Sequence, residues 1–170
     1  MQQTQFLLDT ATFTRNGEVF ASQSPVSDFR RALEGLPEQK GQIIQWSVQG
    51  HIDSAGQQFL DIHLSGFVVL TCQRCLQDFD YHIDTTNTVL VVDDELELDV
   101  DADDPDAYER ILGSTHLNAL ELVEDELILS IPYVPRHQEC PQLPQALKDQ
   151  DEEVEDEKPN PFAVLSQLKK

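Results

Sequence analysis

From Gln42 to Val92 the chain alternates apolar and polar residues with a period of two. Ile44, Trp46 and Val48 alternate with polar neighbours, and Ser54-Ala55-Gly56 then marks a turn. Leu60, Ile62 and Leu64 follow, set against Asp61, His63 and Ser65. Phe79, Tyr81 and Ile83 repeat the pattern, and Val89 to Val92 extend it. Successive side chains of a strand point to opposite faces, so each run can bury one face and wet the other. The connections are too short for crossover helices, so three or four antiparallel strands in a meander are predicted.

Helical spacing flanks this region. Val26, Phe29 and Leu33 share one face of a predicted helix from Val26 to Glu34. Ser24 or Ser27 could cap it, Pro25 suits its first turn, and Gly35 and Pro37 stop it. A second helix is predicted from Asn118 to Ser130, with Leu117, Leu120, Val123, Leu127, Ile128 and Ile131 on one stripe. Asn118 and Glu121 make a capping box at its start, and Pro132 and Pro135 end it. The fold class is therefore α+β: an antiparallel sheet, with scope to curl toward a barrel, and an amphipathic helix packed on it. Residues 1–145 form a single domain in this reading, and residues 146–170 an acidic linker with a short C-terminal helix motif.

The net charge is −21, from 11 Lys plus Arg against 32 Asp plus Glu. Ten carboxylates lie between Asp93 and Glu109 and seven between Asp149 and Glu157. Such runs repel themselves, so the first is expected to be a solvated loop and the second part of a partly disordered tail. The first run lacks the glycine and spacing of a calcium-binding loop. A field of this sign repels phosphate backbones and attracts basic surfaces, although charge also serves solubility alone.

No run of about 20 apolar residues is present, so no spanning helix is expected. The start, MQQTQFLLDT, lacks a basic stretch followed by an apolar one, and three Cys cannot all pair within one chain. Both features point to a reducing cytoplasm.

Cys72 and Cys75 form C-x2-C at a turn between strands, a spacing that lets two thiolates chelate one metal from a tight loop. His137 and Cys140 add H-x2-C far downstream. Together they supply the four donors a structural zinc needs. Free thiols with a surface histidine are the plain alternative. A redox pair is a third, but that motif should precede a helix in a βαβ unit, and here β-like sequence follows. Four protein donors would leave no open coordination position, so even the zinc reading is structural.

Arg74 sits between the two cysteines, at the tip of the turn, where it could touch a phosphate or simply face solvent. No nucleophile signature, phosphate loop or dinucleotide fingerprint is present, and no enzymatic activity is expected. The chain closes on Asn160-Pro161 followed by Phe162, Val164, Leu165 and Leu168, a capped apolar helix motif beyond the acidic linker. This motif either docks back on its own domain or binds a partner.

Four pieces in order resemble the YceD family of bacterial large ribosomal RNA subunit accumulation proteins. They are Thr71-Cys72-Gln73-Arg74-Cys75, Leu122 to Leu129, Pro132-Tyr133-Val134-Pro135-Arg136-His137 with Cys140, and Lys158 to Leu165. The resemblance runs from about residue 65 to residue 170 and implies a role in synthesis, processing or stability of 23S rRNA, without catalysis. With the charge, it leads to an expectation of basic ribosomal or RNA-processing proteins as partners and of indirect contact with rRNA. Arg74, Phe162, Val164, Leu165 and Leu168 are the residues expected to meet them. The alternative is a zinc-stabilised structural module linked only indirectly to ribosomes.

Overall fold

The computed structural model describes residues 6–98 and 107–141. The elements in chain order are β1 (Leu7–Leu8), α1 (Thr10–Asn16), β2 (Val19–Pro25), β3 (Ile43–Ile52), β4 (Gln58–Thr71), β5 (Asp78–Val92), β6 (Glu109–Leu112), β7 (Leu117–Asn118) and α2 (Ala119–Ser130).

The predicted meander is β3, β4 and β5, antiparallel and paired from Ile44↔Gly66 and Gln58↔Val91 outward. Its alternation has the expected consequence. Ile44, Trp46, Val48, Leu60, Ile62 and Leu64 are buried on one face, while Gln45, Gln49 and Phe67 lie on the other and are exposed. Antiparallel β2 extends the sheet on one side, and β6 joins β5 in parallel on the other. The five strands run in the order β2-β3-β4-β5-β6, with β1 and β7 pairing separately.

The sheet does not close into a barrel. Its buried face is covered instead by α1 and α2, whose Phe13, Ala119, Val123 and Leu127 enter the same core as the strand residues. With the helices seated there, curling is not needed to remove that face from water. Gly50 makes the approach of α1 possible, since a Cβ there would stand 2.8 Å from the Phe13 carbonyl oxygen. Asp9 caps α1 by accepting from the Thr12 N–H, and Gly17 ends it at φ 63, the left-handed conformation glycine adopts without strain.

Two expectations are corrected. The segment predicted as a helix from Val26 to Glu34 is a short 3-10 turn over Val26–Asp28 followed by further turns. Glu124 provides the reason: its carboxylate accepts from the Arg31 N–H at 2.6 Å and the Ala32 N–H at 3.4 Å, donors that a continuous helix would have used internally. Of the stripe predicted for α2, Leu117, Leu120, Val123, Leu127 and Ile131 pack in or against the core as expected, but Ile128 does not. Ala119, Val123 and Leu127 are fully buried, while Ile128 is 40% exposed. Glu124 and Glu126 also take buried positions, where Glu124 binds Arg31 and Glu126 accepts from the Asn87 amide at 2.9 Å. The start of α2 matches expectation, with the Asn118 side chain accepting from the Leu120 N–H and donating to Glu121.

The acidic run after Val92 is anchored at both ends. Glu95–Glu97 form a 3-10 turn, Leu98 packs on Phe59, Leu90 and Val92, and Glu109 already belongs to β6. The C-terminal motif of Phe162, Val164, Leu165 and Leu168 lies outside the described residues. No described helix is long and apolar enough to cross a membrane.

Candidate metal centre

The turn between β4 and β5 is built to hold two sulfurs. The Thr71 hydroxyl donates to Asp78 at 2.7 Å, and the Cys72 N–H donates to the Gln77 carbonyl at 2.9 Å, closing the hairpin. The Leu76 N–H returns to the Cys72 carbonyl at 2.8 Å. Leu76 takes φ 59, a left-handed conformation that costs a non-glycine residue on the order of 1 kcal/mol. That sharp reversal turns both Cys side chains to the same side of the loop.

The other two donors arrive from beyond α2. Pro132 cannot extend the helix, and the chain continues without regular structure to Pro141. The Gln73 N–H donates to the Pro135 carbonyl at 2.9 Å, which lays this segment across the hairpin turn. The His137 N–H then points at Cys72 Sγ at 3.4 Å.

Cys72, Cys75, His137 and Cys140 thus converge, with all four donor atoms within 4.8 Å of one another. Cys72 Sγ lies 3.7 Å from Cys140 Sγ, and Cys75 Sγ lies 3.4 Å from His137 Nδ1. A tetrahedral zinc with bonds of about 2.3 Å to sulfur and about 2.0–2.1 Å to nitrogen has edges of about 3.8 and 3.6 Å. Two edges of the cluster match those lengths, and the longest would contract by about 1 Å on closing around an ion. The cysteines are free. The cluster could hold one metal ion with a complete shell of protein donors, an arrangement suited to structure and not to catalysis.

The surroundings favour thiolate. Burial pushes the Cys72 thiol up, but backbone N–H groups of His137, Cys75 and Arg74 outweigh it and bring the thiol down to about 5. Cys75 is pushed up by burial and by the neighbouring sulfurs of Cys72 and Cys140, against a lowering N–H of Gln77. Of these two cysteines, Cys72 is the one held toward thiolate. The Phe79 ring lies 4.5 Å from the His137 ring, centroid to centroid, and limits how the imidazole can turn.

Arg74 is close to this cluster. Its Nε donates to Cys140 Sγ at 3.0 Å. Three thiolates and a divalent ion would leave one negative charge, which the guanidinium offsets. The spacing C-x2-C announced the cysteines, but nothing in it signalled this contact.

The acidic stretch of α2 has structural partners that sequence reasoning missed. Arg31 Nε meets Glu124 at 2.9 Å and its Nη1 meets Asp125 at 2.7 Å. Its hydrogen bonds to the Glu124 and Asp125 carboxylates hold the Arg31 guanidinium above its usual range. Glutamates interleaved with Val123 and Leu127 were the available signal, because a carboxylate placed beside buried positions needs a partner.

A family model described as large ribosomal RNA subunit accumulation protein YceD matches residues 60–169. That stretch contains all four donors, Arg74 and the whole of α2. A protein of that same description from Haemophilus influenzae is 36% identical over 108 residues. The match covers 60% of this chain and 60% of that protein, so the chain spans less than two thirds of the relative's length. No solved structure matches the chain. On the family match, which covers more than half of its residues, the chain belongs to the YceD family of large ribosomal RNA subunit accumulation proteins.

Proposed function

We propose that this protein is a non-enzymatic, cytoplasmic factor in the synthesis, processing or stability of 23S rRNA, and that it acts through protein partners. The family match over residues 60–169 carries the reading. The net charge of −21 supports basic ribosomal or RNA-processing proteins as those partners, with rRNA contacted indirectly. Arg74 and the C-terminal Phe162, Val164, Leu165 and Leu168 remain the residues proposed to meet them. The expected result of deleting the gene is a fall in the 23S to 16S rRNA ratio that the wild-type chain restores. An unchanged ratio would contradict the reading, and tight binding of bare rRNA at high salt would contradict its protein-mediated form.

A second reading concerns the cluster itself. We propose that Cys72, Cys75, His137 and Cys140 bind a structural zinc. Its support is the convergence of four donors within 4.8 Å, from segments more than 60 residues apart in sequence. In this reading the ion would tie the segment after α2 to the β4–β5 turn. Metal content of the purified chain tests it.

A further inference from the structure

We propose that the four-donor cluster is a clasp and not a folding nucleus: metal binding fixes residues 132–140 on the β4–β5 turn, and metal loss releases that segment while the sheet and both helices stay folded. The inference rests on the metal reading above and adds what the ion controls.

Small zinc modules unfold without their metal because they have no other core. Here the main core cluster runs from Leu8 to Leu127 through both helices and the sheet; Cys72 is fully buried but outside that cluster, and the other three donors are only partly buried. The strand pairings of β2 to β5 and the caps of α1 and α2 also form without the cluster. Removing the ion should therefore leave those elements intact.

The segment after Ile131 is different. It has no regular structure through Pro141. Its apolar side chains do little to hold it, since Tyr133 is 99% exposed and Val134 is 45% exposed. An open groove separates Arg136, Gln138 and Glu139 from Asp80, Tyr81 and His82 at the start of β5. The described contacts of the segment converge on the turn: Pro135 with Gln73, His137 with Cys72, Cys75 and Phe79, and Cys140 with Cys72 and Arg74. Most of these contacts are to the sulfurs. Without the ion, four metal bonds give way to weak hydrogen bonds at the sulfurs, beside one backbone hydrogen bond and one ring contact. In sequence, the second acidic run and the apolar C-terminal motif follow Cys140 and Pro141.

Arg136 supplies a reporter because it is exposed and lies inside the clasped segment. The full chain is loaded with Zn2+, its metal content is measured, and half of it is stripped with a chelator. Both forms are digested with a trace of trypsin, cleavage sites are followed by mass spectrometry, and far-UV circular dichroism is recorded in parallel. The expected result is faster cleavage after Arg136 in the stripped form, by about ten-fold or more, with an unchanged dichroism spectrum and no new cleavage after Arg15 or Arg110 in the folded elements. Cys140→Ser should reproduce the stripped behaviour with Zn2+ present. Stoichiometric zinc with equal cleavage in both forms would overturn the clasp and leave the metal reading standing. Loss of the dichroism signal on stripping would also overturn it, by making the ion part of the folding core. A chain that takes up no zinc would overturn both.

Discussion

Replacing Glu124 by alanine probes the acidic stretch of α2 that lies within the family match. Its carboxylate accepts from the Arg31 N–H at 2.6 Å, the Ala32 N–H at 3.4 Å and Arg31 Nε at 2.9 Å, and only 8% of the residue is exposed. The short backbone bond is charge-assisted and contributes about 1.5–3 kcal/mol. The longer one contributes about 0.5 kcal/mol. The Arg31 side chain is 52% exposed, so the ion pair adds no more than about 1 kcal/mol. Glu124→Ala should therefore destabilise by about 3 kcal/mol, since it also strands the buried Ala32 N–H. In a domain of this size that lowers Tm by roughly 6–12 °C. Asp125→Ala, which loses an exposed partner of the same guanidinium, should cost under about 1 kcal/mol. Urea unfolding followed by Trp46 fluorescence measures both. Equal costs for the two variants, or a Glu124→Ala midpoint within error of wild type, would refute the assignment of Glu124 as the residue that pins the Arg31 loop to α2.

Other outcomes follow from the same geometry. Gly50→Ala should cost about 2 kcal/mol or more, because its Cβ would press on the backbone of Phe13 and push α1 off β3; a thermal melt checks it. Arg74→Ala should weaken zinc binding about 10- to 100-fold by leaving the Cys140 sulfur without its cationic neighbour, as measured by competition with a chromophoric chelator. Acid should release the ion. Cys72 has its folded value depressed to about 5 from an ordinary 9.0, so the stability its thiolate contributes is fully present above the ordinary value and lost as pH falls through about 5. An indicator dye should therefore report release as the pH falls through about 5.

Much of this architecture is legible in the sequence where one physical rule acts alone. The strands β3 to β5 announce themselves because one face is buried and the other wet, so Ile44-Trp46-Val48 and Leu60-Ile62-Leu64 keep strict period two. Asn118 reads as a cap because its side chain bonds locally. C-x2-C and H-x2-C name the four donors, although their meeting is set by the Gln73 to Pro135 hydrogen bond, which no spacing encodes. Elsewhere long-range contacts override local signals. Val26, Phe29 and Leu33 have helical spacing, yet Glu124, more than 90 residues away, takes the N–H groups a helix would need. Helix α1 is seven residues long with three threonines, poor helix formers that its caps and Gly50 compensate. The edge strand β2 mixes Ala21, Ser22, Gln23 and Ser24, so it lacks apolar alternation, and β6 is masked by the acidic run it closes. Periodicity puts Ile128 on the core side, because it cannot show that Glu124 and Glu126 take buried positions.

Elemental analysis of the full chain, purified without chelator, tests the metal centre most directly. The account predicts one zinc per chain, lost on Cys75→Ser with the far-UV spectrum retained. A folded wild-type chain that carries no metal, and takes none up when Zn2+ is added, would contradict it.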